Sequence, residues 1–456
     1  MGDLLNLVMD VGPVPMQVGA CLVVDAGPGF SQGEARRLIG GRIEAVPRLR
    51  QRLMPVPFGC GRPVWVDDPA FDLDNHLQIM KCPAPGDVRA LLDLAAQVIA
   101  RPLPPGRPLW SITLVTGLDG DRAGLIVCFH HVLADGIGGL AVLGSLVDGA
   151  PVPSPTPFPE PAPSPRRIAA EAWTARLWAL ARLPRAAAAL GRAVAELGPP
   201  SRAARCSLLQ PVGPRQRLET VTARLDDVRR YAHAHGGTVN DALLAAVTGA
   251  LHTLLAGRGE SVPELVVSVP VSIRATTTSD RLGNRIGIMP VRLPAAGPLA
   301  QRLERTAAAT RRGKAVTSGA STGLVTSLNR ILAGAGLLRR LLDRQCLIHT
   351  VCTNLRGPRE PLTLNGATVS ALIPISLTRG NVSVVFSALS YAGTLTITVT
   401  ADAGRTPDLP ILLTALRGQL TAMSRMTGSG TPPDSCATRA AEGPTAGGTD
   451  ASNRTR

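Results

Sequence analysis

Two adjacent histidines, His130 and His131, stand where an apolar run (124–129, Gly-Leu-Ile-Val-Cys-Phe) ends, and Asp135 follows His131 by four residues. The whole chain of 456 residues has only seven histidines. Neutral imidazole is the side chain best able to take up a proton near neutral pH. A nearby carboxylate can fix the tautomer of such a ring, or instead lock the loop that carries it. Gly136 then permits a backbone conformation that a side chain would hinder, and an apolar, helix-like stretch (137–147) comes next. A lone histidine at a strand end reads as a satisfied structural group. The HHxxxDG pattern between a strand and a helix points instead to proton transfer.

His130–Gly136 (His-His-Val-Leu-Ala-Asp-Gly) resembles the HHxxxDG signature of CoA-dependent acyltransferases of the chloramphenicol-acetyltransferase-like fold. Other segments narrow the resemblance to bacterial wax ester synthase/diacylglycerol acyltransferases. Arg107-Pro108-Leu109-Trp110 looks like their PLW motif, and Asn240-Asp241 like their ND motif. Pro270-Val271-Ser272-Ile273-Arg274, Gly283-Asn284-Arg285 and Asn354-Leu355-Arg356-Gly357-Pro358 are further matches, and Ser390-Tyr391 and Asp408 are similar to late family positions. The resemblance covers roughly residues 1–425. Two departures stand out. Asp3, Leu4 and Leu5 are the nearest match to an expected Ser-x-x-Asp-x-x-Phe-Leu start, and Pro104-Pro105-Gly106 replaces the acidic segment before PLW.

The resemblance implies an α/β fold of two chloramphenicol-acetyltransferase-like sandwich domains with the active site at their interface. It implies esterification: an alcohol attacks an acyl-CoA thioester and releases CoA. His131 takes the general-base role of the family's second histidine, with His130 in support. Asp135 either orients His131 as a triad acid would or, as the family implies, pairs with an arginine and braces the loop. Neither a Gly-x-Ser-x-Gly elbow nor a cysteine nucleophile motif is present, so direct transfer is expected. Asn240 could donate a hydrogen bond to the thioester oxygen or hold a helix start. Asp241 stands with it in support. Trp110 reads as packing, and Gly136 as a turn that admits substrate closely. Arg274 and Arg285 could meet CoA phosphates or be surface charges. Acyl-CoA is then a co-substrate, its partner a hydrophobic alcohol, and no metal or tightly bound cofactor is expected.

Composition fits this frame. Hydrophobic residues make up 45% of the chain but aromatics only 3%, so aliphatic side chains must fill the core. The eight cysteines are scattered without metal-ligand spacing. Formal net charge is +15 and almost wholly arginine, which favours anionic partners such as a phosphorylated co-substrate or an acidic lipid surface. No zinc, helix-turn-helix or aromatic-basic pattern points to nucleic acid. No uninterrupted apolar run reaches the roughly 18–20 residues of a membrane span. The acidic start, Met-Gly-Asp-Leu-Leu, lacks the basic residues of a secretory signal. A cytoplasmic protein is expected, with peripheral contact at the inner membrane face or lipid inclusions.

The elements that must position the histidines fall into blocks. Residues 1–150 form the first half, with strands at 20–26, 111–118 and 124–129 and helices at 31–49 and 87–100. Asp-Gly-Asp-Arg (119–122) is a hairpin turn joining two of these strands. Residues 151–214 hold a proline-rich linker and then a basic Ala/Arg helical crossover (166–197) carrying Trp173 and Trp178. That crossover is read either as an interfacial amphipathic segment or as a solvated connection. Residues 215–425 form the second half, with helices at 225–235 and 239–255, the latter capped by Thr238. Its strands are expected at 265–273, 346–353, 366–374, 381–389 and 394–400, with helices at 299–312 and after Pro407. Residues 426–456 read as a disordered tail.

Overall fold

A computed structural model of the chain describes residues 6–27, 30–44, 46–56, 63–134, 136–150, 157–181, 202–272, 286–316, 332 and 336–428. The first-half strands are β1 (Gln17–Asp25), β2 (Gln51–Met54), β3 (Val64–Asp67), β4 (Leu77–Lys81), β5 (Trp110–Leu118) and β6 (Arg122–His130). Then come β7 (Gln216–Arg224), β8 (Glu264–Ser272), β9 (Ile286–Pro294), β10 (Thr350–Arg356), β11 (Thr363–Leu364), β12 (Ala367–Ser376), β13 (Val384–Tyr391) and β14 (Thr394–Asp402). The helices are α1 (Gln32–Glu44), α2 (Val88–Ile99), α3 (Gly136–Leu146), α4 (Pro165–Ala181) and α5 (Leu225–Ala234). They continue as α6 (Val239–Gly257), α7 (Leu299–Val316), α8 (Leu338–Leu342) and α9 (Leu409–Gly428).

Two six-stranded mixed sheets organise these elements, in the orders β11-β12-β1-β6-β5-β4 and β7-β14-β13-β10-β8-β9. In the first sheet the apolar run before the histidines lies centrally in β6. Successive strand residues face opposite sides, and both sides are covered. Leu125, Val127 and Phe129 pack with Ile39 and Ile43 of α1 and Val142 and Leu143 of α3. Ile126 and Cys128 pack with Leu91, Leu92 and Ala95 of α2. A strand buried on both faces must be apolar throughout, and this one is. Asp87 starts α2 by accepting from the Ala90 N–H at 2.8 Å.

The second sheet carries α5, α6, α7 and α9 in one large core. Helix α6 is long and apolar enough to cross a membrane, but 72% of its most apolar window is buried among these neighbours. It is the central helix of this half.

The blocks read from sequence do not match the sheets in one respect. The strand expected at 366–374 in the second half is β12, and it and β11 pair in the first sheet, with β12 antiparallel to β1 from Val18↔Ser376 to Asp25↔Thr368. Without them β1 would be an open edge. β12 supplies apolar side chains to both faces, Val369 and Leu372 on one and Ile373 and Ile375 on the other. Ser376 then meets Ser387 of β13 across the junction, Oγ to Oγ at 2.9 Å. The expected helix at 31–49 ends at Glu44. Pro47, which cannot donate a backbone hydrogen bond, opens a 3₁₀ turn into β2 instead. At the C-terminus α9 runs to Gly428, past the expected start of the tail at 426, and later residues lie outside those described.

Candidate active site

The PLW segment fixes the strand end that carries the histidines. Trp110 of β5 pairs with Phe129 of β6, and the His130 N–H donates to the Leu109 carbonyl at 3.0 Å. The indole is 1% exposed, donates from Nε1 to the Leu49 carbonyl at 2.7 Å and stacks on His76 at 4.5 Å. Trp110 packs the strand end.

His130 and His131 differ in their surroundings. The buried His130 ring accepts from the Val132 N–H at Nδ1 (3.0 Å), so the ring proton sits on Nε2 and points to Asp10 Oδ2, 3.2 Å away. His131 is half-buried. Its N–H donates to the Met16 carbonyl (2.8 Å), and its carbonyl accepts from Asn6 Nδ2 (2.9 Å). The segment around Asn6, Asp10 and Met16 thus wraps the histidine turn. Burial raises the Asp10 pKa, but hydrogen bonds from His130 and the Met16 N–H, with the Arg379 charge, outweigh it and leave it below the ordinary range.

Asp10 and Arg379 are site-supporting residues that the sequence did not reveal. The one signal available was an acid inside an otherwise apolar N-terminal stretch. Asp3, Leu4 and Leu5, taken from sequence as the matching start, lie outside the described residues.

Three motifs of the second half arrive at or beside this turn. A Cβ on Gly136, the first residue of α3, would stand 3.1 Å from both terminal methyl carbons of Leu355 in β10. The glycine is needed because β10 packs there. Its φ is not in the left-handed region, which corrects the conformational reading made from sequence. One residue back, Asn354 Nδ2 donates to Asn240 Oδ1 at 3.4 Å, a long contact that joins the NLRGP strand to the ND helix start. Two residues on, Gly357 donates to the Ser390 carbonyl at 2.8 Å, and a Cβ on it would lie 2.7 Å from that oxygen. Tyr391 is buried and structural, accepting from the Leu362 N–H and donating to the Val369 carbonyl, both at 2.7 Å.

Asp241 has a structural role at a helix start. Thr238 and Asp241 form a reciprocal capping box at the start of α6, and Thr310 of α7 donates to Asp241 Oδ1 at 2.6 Å. Asp408 sits away from the histidines and takes a two-pronged ion pair from Arg258 at 2.7 and 2.5 Å. The hydrogen bond from Arg258 holds the Asp408 carboxyl below its ordinary pKa. Asp135, Arg274 and Arg285 lie outside the described residues, as do the side chains of Val271 and Ser272. Among the described residues, no cluster of three His, Cys, Asp or Glu side chains could hold a metal ion. Cys21, Cys128 and Cys352 are sealed in the core, where burial raises their thiols.

The histidine turn framed by a second sheet, over two mixed α/β sandwiches, is shared with known acyltransferases. The family model for the wax ester synthase/diacylglycerol acyltransferase catalytic domain matches residues 2–243, and that for the C-terminal domain of the same family matches residues 282–424. A probable diacylglycerol O-acyltransferase of Mycobacterium tuberculosis is 32% identical over 409 residues, covering 85% of this chain and 87% of its own. A putative diacylglycerol O-acyltransferase of the same organism is 31% identical over 446 residues, covering 88% and 91%.

The wax ester synthase/diacylglycerol acyltransferase from Marinobacter aquaeolei superposes with a TM-score of 0.67 at 23% identity, covering 93% of this chain and 98% of its own. The starter condensation domain of rhizomide synthetase, solved with C8-CoA, superposes with a TM-score of 0.57 at 16% identity, covering 94% and 93%. The chain belongs to the wax ester synthase/diacylglycerol acyltransferase family. It is an acyltransferase of that type, with the two-domain α/β fold its motifs implied.

Proposed function

We propose that the protein transfers a long acyl chain from acyl-CoA to diacylglycerol or a long-chain alcohol, with His131 as general base and no acyl-enzyme. One observation supports this most: at the junction of the two sheets, the His131 turn meets Leu355 of NLRGP, which is joined in turn to Asn240 of ND. Three other histidines have structural contacts of their own. His130 is held by Asp10 and Val132, His76 by Trp110, and His349 by Val266 and Ala204.

In this reading the His131 imidazole takes the hydroxyl proton as the alcohol oxygen attacks the thioester carbonyl. The tetrahedral intermediate collapses by breaking the C–S bond, and the imidazolium returns the proton to the departing sulfur. Ester and free CoA result. Asn240 accepts from Asn354 through Oδ1, which leaves its amide N–H groups to face the developing oxyanion. Arg274 and Arg285 would meet the CoA phosphates. A solved relative of the same fold holds C8-CoA, in line with CoA as the carrier.

Helix α4 supports a lipid-surface location. Trp173, Leu177 and Trp178 are exposed to 61%, 64% and 60%, beside Arg166, Arg167 and Arg176. Aromatic and basic residues together suit the boundary of an anionic lipid layer. This favours a cytoplasmic enzyme seated on the inner membrane face or on lipid inclusions.

The test is purified protein with labelled palmitoyl-CoA and either diacylglycerol or hexadecanol, products resolved by thin-layer chromatography. His131→Ala should cut ester formation by roughly 10²- to 10⁴-fold, the usual worth of a general base, with vesicle association unchanged. A variant as active as the parent would end the base assignment. Turnover with an acyl carrier protein but not acyl-CoA would favour a polyketide- or glycolipid-modifying acyltransferase. No turnover with either donor would leave a lipid-surface binding protein.

A further inference from the structure

The N-terminal segment does something that neither histidine can do for itself. Both backbone polar groups of His131 bond to it, through the Met16 carbonyl at 2.8 Å and Asn6 Nδ2 at 2.9 Å. The segment is closed on itself at Asp10, whose Oδ1 accepts from the Met16 N–H at 2.7 Å. Through Oδ2 the same carboxylate holds the His130 ring. One side chain therefore fixes both the strap and the first histidine.

Arg379 fixes Asp10 from the other half of the molecule. It sits in the turn that carries the chain from β12 in the first sheet to β13 in the second. Its guanidinium donates to the Met9 carbonyl and, at 3.4 Å, to that of Val11, with Nη1 3.8 Å from Asp10 Oδ1. The side chain is only 19% exposed, and burial brings its pKa down to about 10, so it stays cationic at neutral pH. A buried cation of this kind needs its partner carboxylate. The turn is itself confined, since Gly380 has φ +59° and a Cβ there would meet the Leu342 carbonyl at 2.8 Å. The strap over the histidine turn is thus tied to the connection between the two sheets.

We propose that Asp10 and Arg379 are positioning residues, a charge pair that clamps residues 6–16 over the histidine turn and so aims the His131 imidazole at the acceptor hydroxyl. The proposal rests on the reading of His131 as the base. A misplacement of about 1 Å at a reacting group can cost roughly 10² in rate, so a clamp acting on the His131 backbone has ample leverage.

Asp10→Asn removes the charge and leaves one acceptor oxygen where the carboxylate offered two, so either the His130 Nε2–H or the Met16 N–H loses its partner. Expected is a kcat lower by roughly 10- to 100-fold with KM for palmitoyl-CoA within about threefold, as for a lost aim rather than lost binding. Asp10 bonds the ring of His130, the residue next to the proposed base, so loss of its negative charge should also move the acid limb of the kcat/KM profile to lower pH by withdrawing an attractive charge from protonated His131. A merely architectural role would lower Tm and leave that limb in place. Arg379→Lys, which keeps the charge but not the two-carbonyl grip, should fall between parent and Asp10→Asn. It also carries the test should Asp10→Asn not fold.

His131→Ala is assayed alongside. If it is inactive while folded Asp10→Asn and Arg379→Lys keep parental kcat and an unmoved acid limb, the clamp is refuted and the base stands. If His131→Ala keeps parental turnover, the base assignment fails and the clamp falls with it.

Discussion

The start of helix α6 and the turn at His130–His131 both hold a backbone end in place, but over very different reaches. At α6 the work is done within three residues, by Thr238 and Asp241 bonding each other's backbone and side chain. At the histidine turn the Val132 N–H is a near partner, but the contacts that hold the turn to the rest of the molecule come from far away in sequence. Asn6 lies 125 residues from His131 and Asp10 lies 120 from His130, while Arg379 reaches back 370 residues to Met9. The first arrangement forms with its own helix. The second exists only when both sheets have assembled, so it can couple the state of the whole molecule to the aim of one imidazole.

The comparison can be broken at the local end first. Asp241→Ala removes the capping box and the short bond from the buried Thr310 hydroxyl, which keeps only the Ala307 carbonyl at 3.2 Å. By the usual worth of a cap and of a buried hydrogen bond to a charged group it should cost roughly 2–3 kcal/mol. Denaturant titration would show this, and kcat per folded molecule should stay within about threefold of the parent. A large drop in kcat with unchanged stability would instead make Asp241 part of the chemistry.

The second half has a distant tie of its own, and it is pH-sensitive. His349 is 1% exposed, accepts from the Val266 N–H at Nδ1 (2.8 Å) and donates to the Ala204 carbonyl at 2.9 Å. Burial lowers its pKa, although the backbone bonds oppose this. The unfolded chain then binds the proton near pH 6.5, before the folded chain does. Stability is therefore full above that pH and falls as pH drops through it, by at most about 1.4 kcal/mol per pH unit from this group. His349→Gln should flatten the fall below about pH 6.5. His76, buried and shifted the same way, should keep a residual slope. An unchanged pH dependence in the variant would remove His349 as the source.

The smallest effect is expected where the halves touch. Gly136→Ala forces Leu355 to give by a few tenths of an ångström. Overpacking of this kind costs about 1 kcal/mol. Because the contact borders the histidine turn, kcat/KM should fall further than stability alone explains, by roughly tenfold. Parental kinetics would show that β10 can yield without moving His131.

Legibility followed the same division between near and far. The helix beginning near Asp87, Thr238 as the cap of α6, and the Asp-Gly-Asp-Arg turn between β5 and β6 all rest on bonds between neighbours, and each could be read directly. Strand β7 (Gln-Arg-Leu-Glu-Thr-Val-Thr-Ala-Arg) escaped notice because it is a charged edge strand with only Leu218 and Val221 fully buried. Of the site, the histidines, PLW, ND and NLRGP segments were legible as motifs. Their meeting was not. Gly136 looked like a residue chosen for its backbone freedom, and only the position of Leu355 shows that it is chosen for space. Asp241 looked like half of a chemical motif and is a helix cap.

The residue order by itself determined the local elements, the doubly apolar strand that ends in two histidines and the family to which the chain belongs. All of these depend on side-chain periodicity or on neighbours a few positions apart. The folded chain alone decided that β12 closes the first sheet, that Asp10 holds His130, and that Arg379 ties the strap to the crossing between sheets. Those choices join groups separated by more than a hundred residues, and a linear pattern carries no distance between them. Packing supplies that distance, since a buried charge or an open sheet edge must find a partner wherever the fold brings one within reach.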